Sequence, residues 1–282
     1  MTSVAIIGLD TYFGACYDGK AFARAVAHGL RCDPAPDALR GVELALRVAN
    51  NALFDADVRR GVRAAVLWAG ETAIAAEIAV LWNFAGPAVD ASDSIAALVE
   101  AQRLLTGGAV DAALLGETNA AGGVALVLVR AETAGDHVYA RLENPLKSVQ
   151  SVDNLHHRTA YIPGYWEWPD LADGVLPPAD AAPEPACALG SVRTNLGDDA
   201  PALAALARTA LCLYHRVIPA TPDWCGPRDP QPDSPFYVAP APQPWLTERV
   251  ASGELRVMNH ESRIMNQRLV LSGSPTVVTT PV

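Results

Sequence analysis

Apolar and polar residues follow two different periods along the chain, and the changes from one to the other mark out strands and helices in alternation. Residues 4–7 read Val-Ala-Ile-Ile and close on Gly8, a short continuous apolar run that predicts a buried strand. Residues 18–28 and 37–54 carry helical spacing, and the second places Val42, Leu46, Val48, Ala49 and Leu53 on its inward side. Residues 62–69 predict a strand, Gly70 its turn, and 71–83 an apolar helix buried on most sides. From 86 to 119 the chain reads GPAVDASDSIAALVEAQRLLTGGAVDAALLGETN. This predicts a short strand at Ala88 and Val89, a polar turn over 90–94, and a helix carrying Ile95, Leu98, Leu104 and Leu105. Gly107-Gly108 stops that helix before a strand over 112–115. GGVALVLVR, residues 122–130, adds another apolar strand.

The second half is less regular. Residues 138–142 predict a strand, but 147–184 are rich in Pro, Trp, Tyr and Asp with no sustained period. ALGSVRTNL follows at 188–196, then a helix over 201–215, and a proline-rich surface segment over 222–244. The pattern as a whole is α/β.

With 282 residues, 50% of them hydrophobic and 18% charged, the chain is long enough for one large core or two fused halves. A net charge of -10 leaves no basic stripe to neutralise phosphates, which argues against nucleic acid as a partner. The most apolar stretch, 64–89, is broken by Glu71, Glu77 and Asn83, and no signal-type leader opens the sequence; a cytoplasmic protein with no membrane span is expected. Cys16, Cys32, Cys187, Cys212 and Cys225 form no CxxC pair and no metal-ligand spacing, so buried thiols are expected, with no disulfide framework, metal or cofactor. His156-His157 has no carboxylate or cysteine at helical spacing and reads as a solvated loop.

Chemistry points to the turn over 90–94. A strand that ends sharply at a helix start exposes one side chain beside the positive end of the helix, the usual mounting for a nucleophile. The residue at this apex is Asp93. Aspartate there also has the right chemistry to cap the helix that begins at Ser94. Asp198 and Asp199 stand similarly just ahead of the helix that Pro201 opens.

These residues resemble the β-ketoacyl synthases, the condensing enzymes of fatty acid and polyketide synthesis. The nucleophile region of that family reads roughly GPS, VDTACSSSLVA, a helix ending in Gly, then D-A-L-A-G-G and N. Gly86-Pro87, Val89-Asp90, Gly108, residues 111–115, Gly116 and Asn119 fit it. The opening Val-Ala-Ile-Ile-Gly is similar to the family's IAIIGM, and GSVRTNL with the helix over 201–215 and the following VIPAT is similar to GSVKSNIGH and the helix beyond it. Pro242-Gln243-Pro244-Trp245 is similar to PLPWP. The resemblance implies a thiolase-like layered αβαβα fold of two pseudo-repeated halves, shortened in the second. It divides the chain into an N-terminal half over 1–135, a C-terminal half over 136–272, and a tail or linker over 273–282.

The same resemblance implies that the chemistry is lost. The family's cysteine falls on Asp93, and a carboxylate is a poor nucleophile toward a thioester. The His-Gly-Thr-Gly-Thr loop that supplies the first catalytic histidine is missing, Asp198 stands at the second histidine, and HESRIMNQR over 260–268 replaces the glycine-rich gating loop. No catalytic residues are therefore expected. The implied role is a pseudo-ketosynthase, a dimerisation partner or scaffold for an active ketosynthase or an acyltransferase, as a homodimer or heterodimer. Its interface would include Val89, Asp90, Ala91, Ser92, Ile95 and Leu98. Two alternatives remain open. A divergent enzyme acting on acyl thioesters would use Asp93 and Asp198 with His260. A module binding an acyl carrier protein or an acyl chain would dock it on Arg59, Arg60 and Arg63.

Overall fold

The computed structural model describes residues 3–33, 39–70, 73–143, 165–177, 187–229, 234, 236–245, 252–257 and 267–272. In chain order the elements are β1 (Val4–Tyr12), α1 (Gly19–His28), α2 (Gly41–Asp55), β2 (Ala64–Gly70), α3 (Ala75–Trp82), β3 (Ala88–Ala91), α4 (Ser94–Thr106), β4 (Ala112–Asn119), β5 (Gly122–Arg130) and β6 (Ala140–Glu143). The second half adds β7 (Tyr165–Glu167), β8 (Cys187–Gly190), α5 (Arg193–Leu196), α6 (Ala202–His215), β9 (Val217–Ile218), β10 (Phe236–Val238), β11 (Gln243–Pro244), β12 (Ser252–Val257) and β13 (Gln267–Ser272).

The strands form a mixed sheet in the order β10-β8-β7-β12-β13-β6-β1-β5-β4-β2-β3, with β9 and β11 paired separately. That order contains a repeat. In the first half β3, β2 and β4 run parallel, β5 is antiparallel to β4, and β1 antiparallel to β5. In the second, β8, β7 and β12 run parallel, β13 is antiparallel to β12, and β6 antiparallel to β13. The halves join where β1 and β6 pair, and β10 extends the second half beyond β8. A long helix follows the outer strand each time, α4 after β3 and α6 after β8.

Alternation along the strands separates the layers. In β5, Val124, Leu126 and Leu128 face the central layer with α1, α4 and α6, whereas Ala125 and Val127 face outward to α2 and α3. In β7 and β8, Tyr165 and Ala188 face the central layer, whereas Trp166, Cys187 and Leu189 face outward with Trp168, Leu171 and Phe236. Each fully buried leucine in these layers contributes about 1.5 to 3 kcal/mol. The result is the thiolase-like layering expected.

Several expectations need correction. β1 continues past Gly8 to Tyr12, because α2 lies so close that a Cβ on Gly8 would stand 2.3 Å from the Ala52 carbonyl oxygen; a side chain would have pushed the helix away. α2 starts at Gly41, and its buried stripe is Leu44, Ala45, Val48, Ala49, Ala52 and Leu53, leaving Val42 exposed and Leu46 half-buried. α3 is shorter than expected and is not buried on most sides, since Val80 is 81% exposed. β7 lies inside the aperiodic region, three residues being too few to show a period, and β10 interrupts the proline-rich segment. Cys16 and Cys32 are disulfide-bonded, against the reading of five thiols; Cys187 and Cys212 are buried thiols and Cys225 an exposed one. Among the described residues no helix is long and apolar enough to cross a membrane, and no cluster of His, Cys, Asp and Glu could hold a metal ion.

Candidate functional site

The turn between β3 and α4 is built as the sequence predicts, and its apex residue is used as a helix cap. Asp93 is the N-cap residue of α4, with extended backbone, and one carboxylate oxygen accepts from Ile95 N at 3.0 Å and Ala96 N at 2.8 Å. The other accepts from the Ser92 hydroxyl at 3.2 Å. The carboxylate is thereby folded back onto its own helix, satisfying amides that a helix start leaves without partners. Asp90, earlier in the same turn, does the same for α3, accepting from Ile74 N at 2.9 Å and Ala75 N at 3.0 Å.

The start of α6 is satisfied from elsewhere. Its N-cap position is Pro201, which makes no side-chain cap bond, so Asp198 and Asp199 do not serve as caps. Glu117, on β4, supplies the acceptor instead, taking Leu203 N at 2.8 Å, with Ala202 N and the Ser94 hydroxyl as further donors. Burial raises the Glu117 carboxyl above the usual carboxylate range, these hydrogen bonds oppose the rise, and the nearby Asp93 charge adds to it. One carboxylate thus bridges the N-terminal ends of α4 and α6, the two helices at the centre of the molecule. Sequence reasoning missed Glu117 because a glutamate on a strand carries no local signal of capping a helix distant in sequence.

Asp198 points away from this bridge. Its side chain is 79% exposed and pairs with Arg193 Nη2 at 2.5 Å, while Arg193 Nη1 pairs with Asp173 at 2.9 Å. Gly197 and Asp198 separate two clefts. One, of about 390 Å³, is lined by Arg31, Arg193, Gly174, Trp224 and Cys225; the other, of about 270 Å³, by Tyr12, Phe13, Cys32, Leu196 and Asp199. Asn119 fixes the wall between the halves: its Oδ1 accepts from Ala121 N and Gly122 N, and its Nδ2 donates to the Asp199 carbonyl at 2.8 Å.

A second missed group lies beneath. Glu167 at the end of β7 and Arg208 in the middle of α6 form a fully buried ion pair at 2.5 Å. Arg208 also donates to the Tyr165 hydroxyl and to Asn195 Oδ1 at 3.2 Å, and Glu167 accepts from the Tyr165 hydroxyl at 2.6 Å and from Val192 N. Burial raises the Glu167 carboxyl well above its ordinary value, against the Val192 amide, and draws the Arg208 guanidinium down to about 10, still charged at neutral pH. After Glu167 the chain reads Trp168-Pro169 and enters a 3-10 turn, Pro169–Asp173.

The remaining predicted residues separate. Val89 is 41% exposed on β3, at the end of the sheet, and Asp90 and Ser92 are exposed beside it. Ala91 and Ile95 are half-buried. Leu98 is 4% exposed and packs into the central layer, which removes it from any interface, because the inward stripe of α4 needs an apolar residue there. The three arginines do not form one free patch: Arg63 pairs with Asp111 at 2.9 Å, Arg60 stacks over the Trp82 ring, and Arg59 is exposed. His156, His157 and His260 lie outside the described residues.

No protein-family model matches the sequence, and a search of curated proteins finds no match. Solved structures do match. The chain is similar to an oxazolomycin ketosynthase domain of Streptomyces albus JA3453, with 22% identity and a TM-score of 0.75 over 97% of this chain and 96% of that one. It is similar to the ketosynthase from module 6 of the bacillaene synthase of Bacillus subtilis 168, with 17% identity and a TM-score of 0.76 over 98% of this chain and 71% of that one. Ketosynthase twelve of the bacillaene polyketide synthase in Bacillus amyloliquefaciens aligns with a TM-score of 0.76 at 19% identity, over 96% and 75%. The fold is that of the ketosynthases.

Proposed function

We propose that the chain is a non-catalytic ketosynthase-like subunit or domain of a polyketide or fatty acid synthase, acting as a pairing partner or scaffold rather than as a condensing enzyme. The observation that carries this reading is the commitment of Asp93. The side chain at the nucleophile position is spent on two backbone amides of α4, and a capped carboxylate neither carries an acyl group nor attacks a thioester. The second histidine position agrees, since Asp198 is exposed and tied to Arg193. The His-Gly-Thr-Gly-Thr loop that supplies the family's first histidine is missing from the sequence.

What remains available is the scaffold and its open end. β3 pairs on one side only, with β2, so the outer row of its backbone groups is unpaired among the described residues. Val89 is exposed on it, and Val80 and Leu81 on α3 and Val99 on α4 are exposed on the helices that flank it. An unprotected edge with apolar neighbours favours addition of a strand from a partner, either another copy of this chain or an active ketosynthase.

The test has two arms. Purified protein incubated with acyl and malonyl thioesters should show neither an acyl adduct by intact mass nor decarboxylation. Turnover that Asp93→Asn abolishes would overturn the reading in favour of an enzyme acting on thioesters. In the second arm, sedimentation should show a dimer, or a fixed-stoichiometry complex with a ketosynthase of the same assembly line, that Val89→Lys dissociates.

A further inference from the structure

The disulfide between Cys16 and Cys32 joins the two ends of the excursion that carries α1. Cys16 sits in the turn after β1, where Phe13 and Cys16 exchange backbone hydrogen bonds. Cys32 sits in the strap from Leu30 to Asp33, which is neither helix nor strand and is held by groups from other parts of the fold. The Cys32 amide donates to the Asn195 carbonyl at 2.9 Å, Asn195 Nδ2 donates to the Leu30 carbonyl at 2.7 Å, and the Ala15 amide donates to the Asp33 carbonyl at 2.9 Å. Asn195 Oδ1 in turn accepts from Nε of the buried Arg208. The bridge is therefore one end of a hydrogen-bonded chain that runs through the strap and α5 to the ion pair in the central layer. Cys32 also lines the cleft of about 270 Å³, with Tyr12, Phe13 and Leu196.

We propose that Cys16–Cys32 is a thiol-reducible clamp whose opening frees the strap, widens that cleft and loosens the hold of Asn195 on Arg208. The reductant is a dithiol. Its thiolate attacks Sγ of Cys32, the half-cystine that lines the cleft; the Sγ–Sγ bond breaks and Cys16 leaves as a thiolate that takes up a proton. The second thiol of the reductant then displaces Cys32, so the dithiol is oxidised to a disulfide as the two cysteines are reduced. The rest of α1 does not depend on the bridge. Asp18 caps it through Ala21 N at 2.7 Å, Asp10 accepts from Gly19 N at 2.8 Å, and Phe22, Ala25 and Val26 are buried in the central layer. Opening is accordingly local.

The experiment uses the full chain carrying Cys225→Ser, which removes the exposed thiol. It is purified without reductant, then compared before and after dithiothreitol by alkylation with peptide mapping, circular dichroism and amide hydrogen exchange. The expected result is Cys16 and Cys32 blocked before and alkylated after, with an unchanged circular dichroism spectrum. Exchange at the amides of Ala15 and Cys32 and across 193–197 should then quicken by on the order of tenfold or more, with β4 and β5 unaffected. The double variant Cys16→Ser, Cys32→Ser should show the fast exchange without reductant and no response to it. Free thiols in the air-exposed protein, unchanged exchange on full reduction, or a double variant that exchanges like the oxidised protein would each overturn the clamp. Global unfolding of either the reduced protein or the variant would also overturn it, leaving a structural staple.

Discussion

The two halves share a strand order and differ in what covers it and in what lies inside. On the first half, α2 and α3 lie across the outer face, with Val48, Ala52 and Ile78 packed on Val66, Trp68 and Val127. On the second, among the described residues, Trp166, Cys187 and Leu189 on the outer face of β7 and β8 are covered by Trp168, Leu171 and Phe236, side chains from a loop, a 3-10 turn and the strand β10. The helices that face the centre differ too. α4 turns Ala97, Leu98, Ala101 and Leu105 inward, whereas α6 brings Arg208 into the same layer and is buried along nearly its whole length from Leu203 to Leu213. Among the described residues, then, the outer face of the first half is covered by helices and that of the second by single side chains, and the second half alone sets a buried ion pair, Glu167–Arg208, in the central layer.

That difference predicts where the molecule is most fragile. Arg208→Met removes the guanidinium and leaves Glu167 buried without its cation, a loss of about 3 to 5 kcal/mol in unfolding stability. Chemical denaturation should show it, and the double variant Glu167→Gln, Arg208→Met should recover part of the loss, because the uncompensated carboxylate is gone. A substitution of similar volume on α4, Leu104→Met, should cost less than about 1.5 kcal/mol. Equal costs on the two helices would break the comparison.

The first half carries its own stored charge, at Asp10 on β1. Burial raises its carboxyl to about 6, with Gly19 N and Asn51 Nδ2 as the opposing hydrogen bonds. A carboxyl raised above its unfolded value favours folding in its protonated form. Its contribution is therefore complete below about pH 4 and is lost as the pH rises through about 6, a change on the order of 2 to 3 kcal/mol. Stability measured from pH 4 to 7 should fall less steeply in Asp10→Asn than in the unaltered protein. The difference between the two curves isolates Asp10 from Glu117 and Glu167, whose carboxyls burial also raises.

Smaller again is the effect at Glu117. Glu117→Ala removes the acceptor for Leu203 N and should cost about 1 to 3 kcal/mol, the price of leaving buried donors unsatisfied at the start of α6. Glu117→Gln keeps an acceptor and should cost less.

These cases also explain what the sequence could and could not disclose. The apolar periods of β2, β4, β5, α4 and α6 are long enough to be read directly, and the turn at 90–94 is legible because Asp and Ser have strong local preferences there. The two repeated halves and the thiolase-like layering came from resemblance, and the strand order from the structure alone, because no period says which strands are neighbours. β7 was invisible: three residues hold too little alternation, and Trp-Pro-Asp after them reads as loop. Glu117 and the Glu167–Arg208 pair were hidden for a related reason. Each acts on a partner far away in sequence, 86 residues for Glu117 and 41 for Glu167, so the residue alone does not announce what it satisfies. The disulfide was missed because a separation of 16 residues matches no motif; the fold brings its Cα atoms to 5.4 Å by returning the chain along α1.

The smallest effect carries the most information about function. If Asp93 is only a cap, Asp93→Ala should lower stability by about 0.5 to 2 kcal/mol, while Asp93→Asn, whose amide oxygen can accept from Ile95 N and Ala96 N, should lie within a few tenths of a kcal/mol of the unaltered protein. Asp93→Ser, with another good cap, should behave like Asp93→Asn. The counterpart on α6 makes the contrast sharper: no substitution at Asp198 should act as a loss of cap, because Asp198 is exposed on Arg193 and the amide of Leu203 belongs to Glu117. A surface ion pair of this kind is worth about 0 to 1 kcal/mol, so Asp198→Asn should be close to silent in denaturation. If Asp93→Asn instead lost far more than Asp93→Ser, or if either substitution stabilised the protein, the carboxylate would be held at a cost that capping does not explain, and residual chemistry at the turn would have to account for its presence.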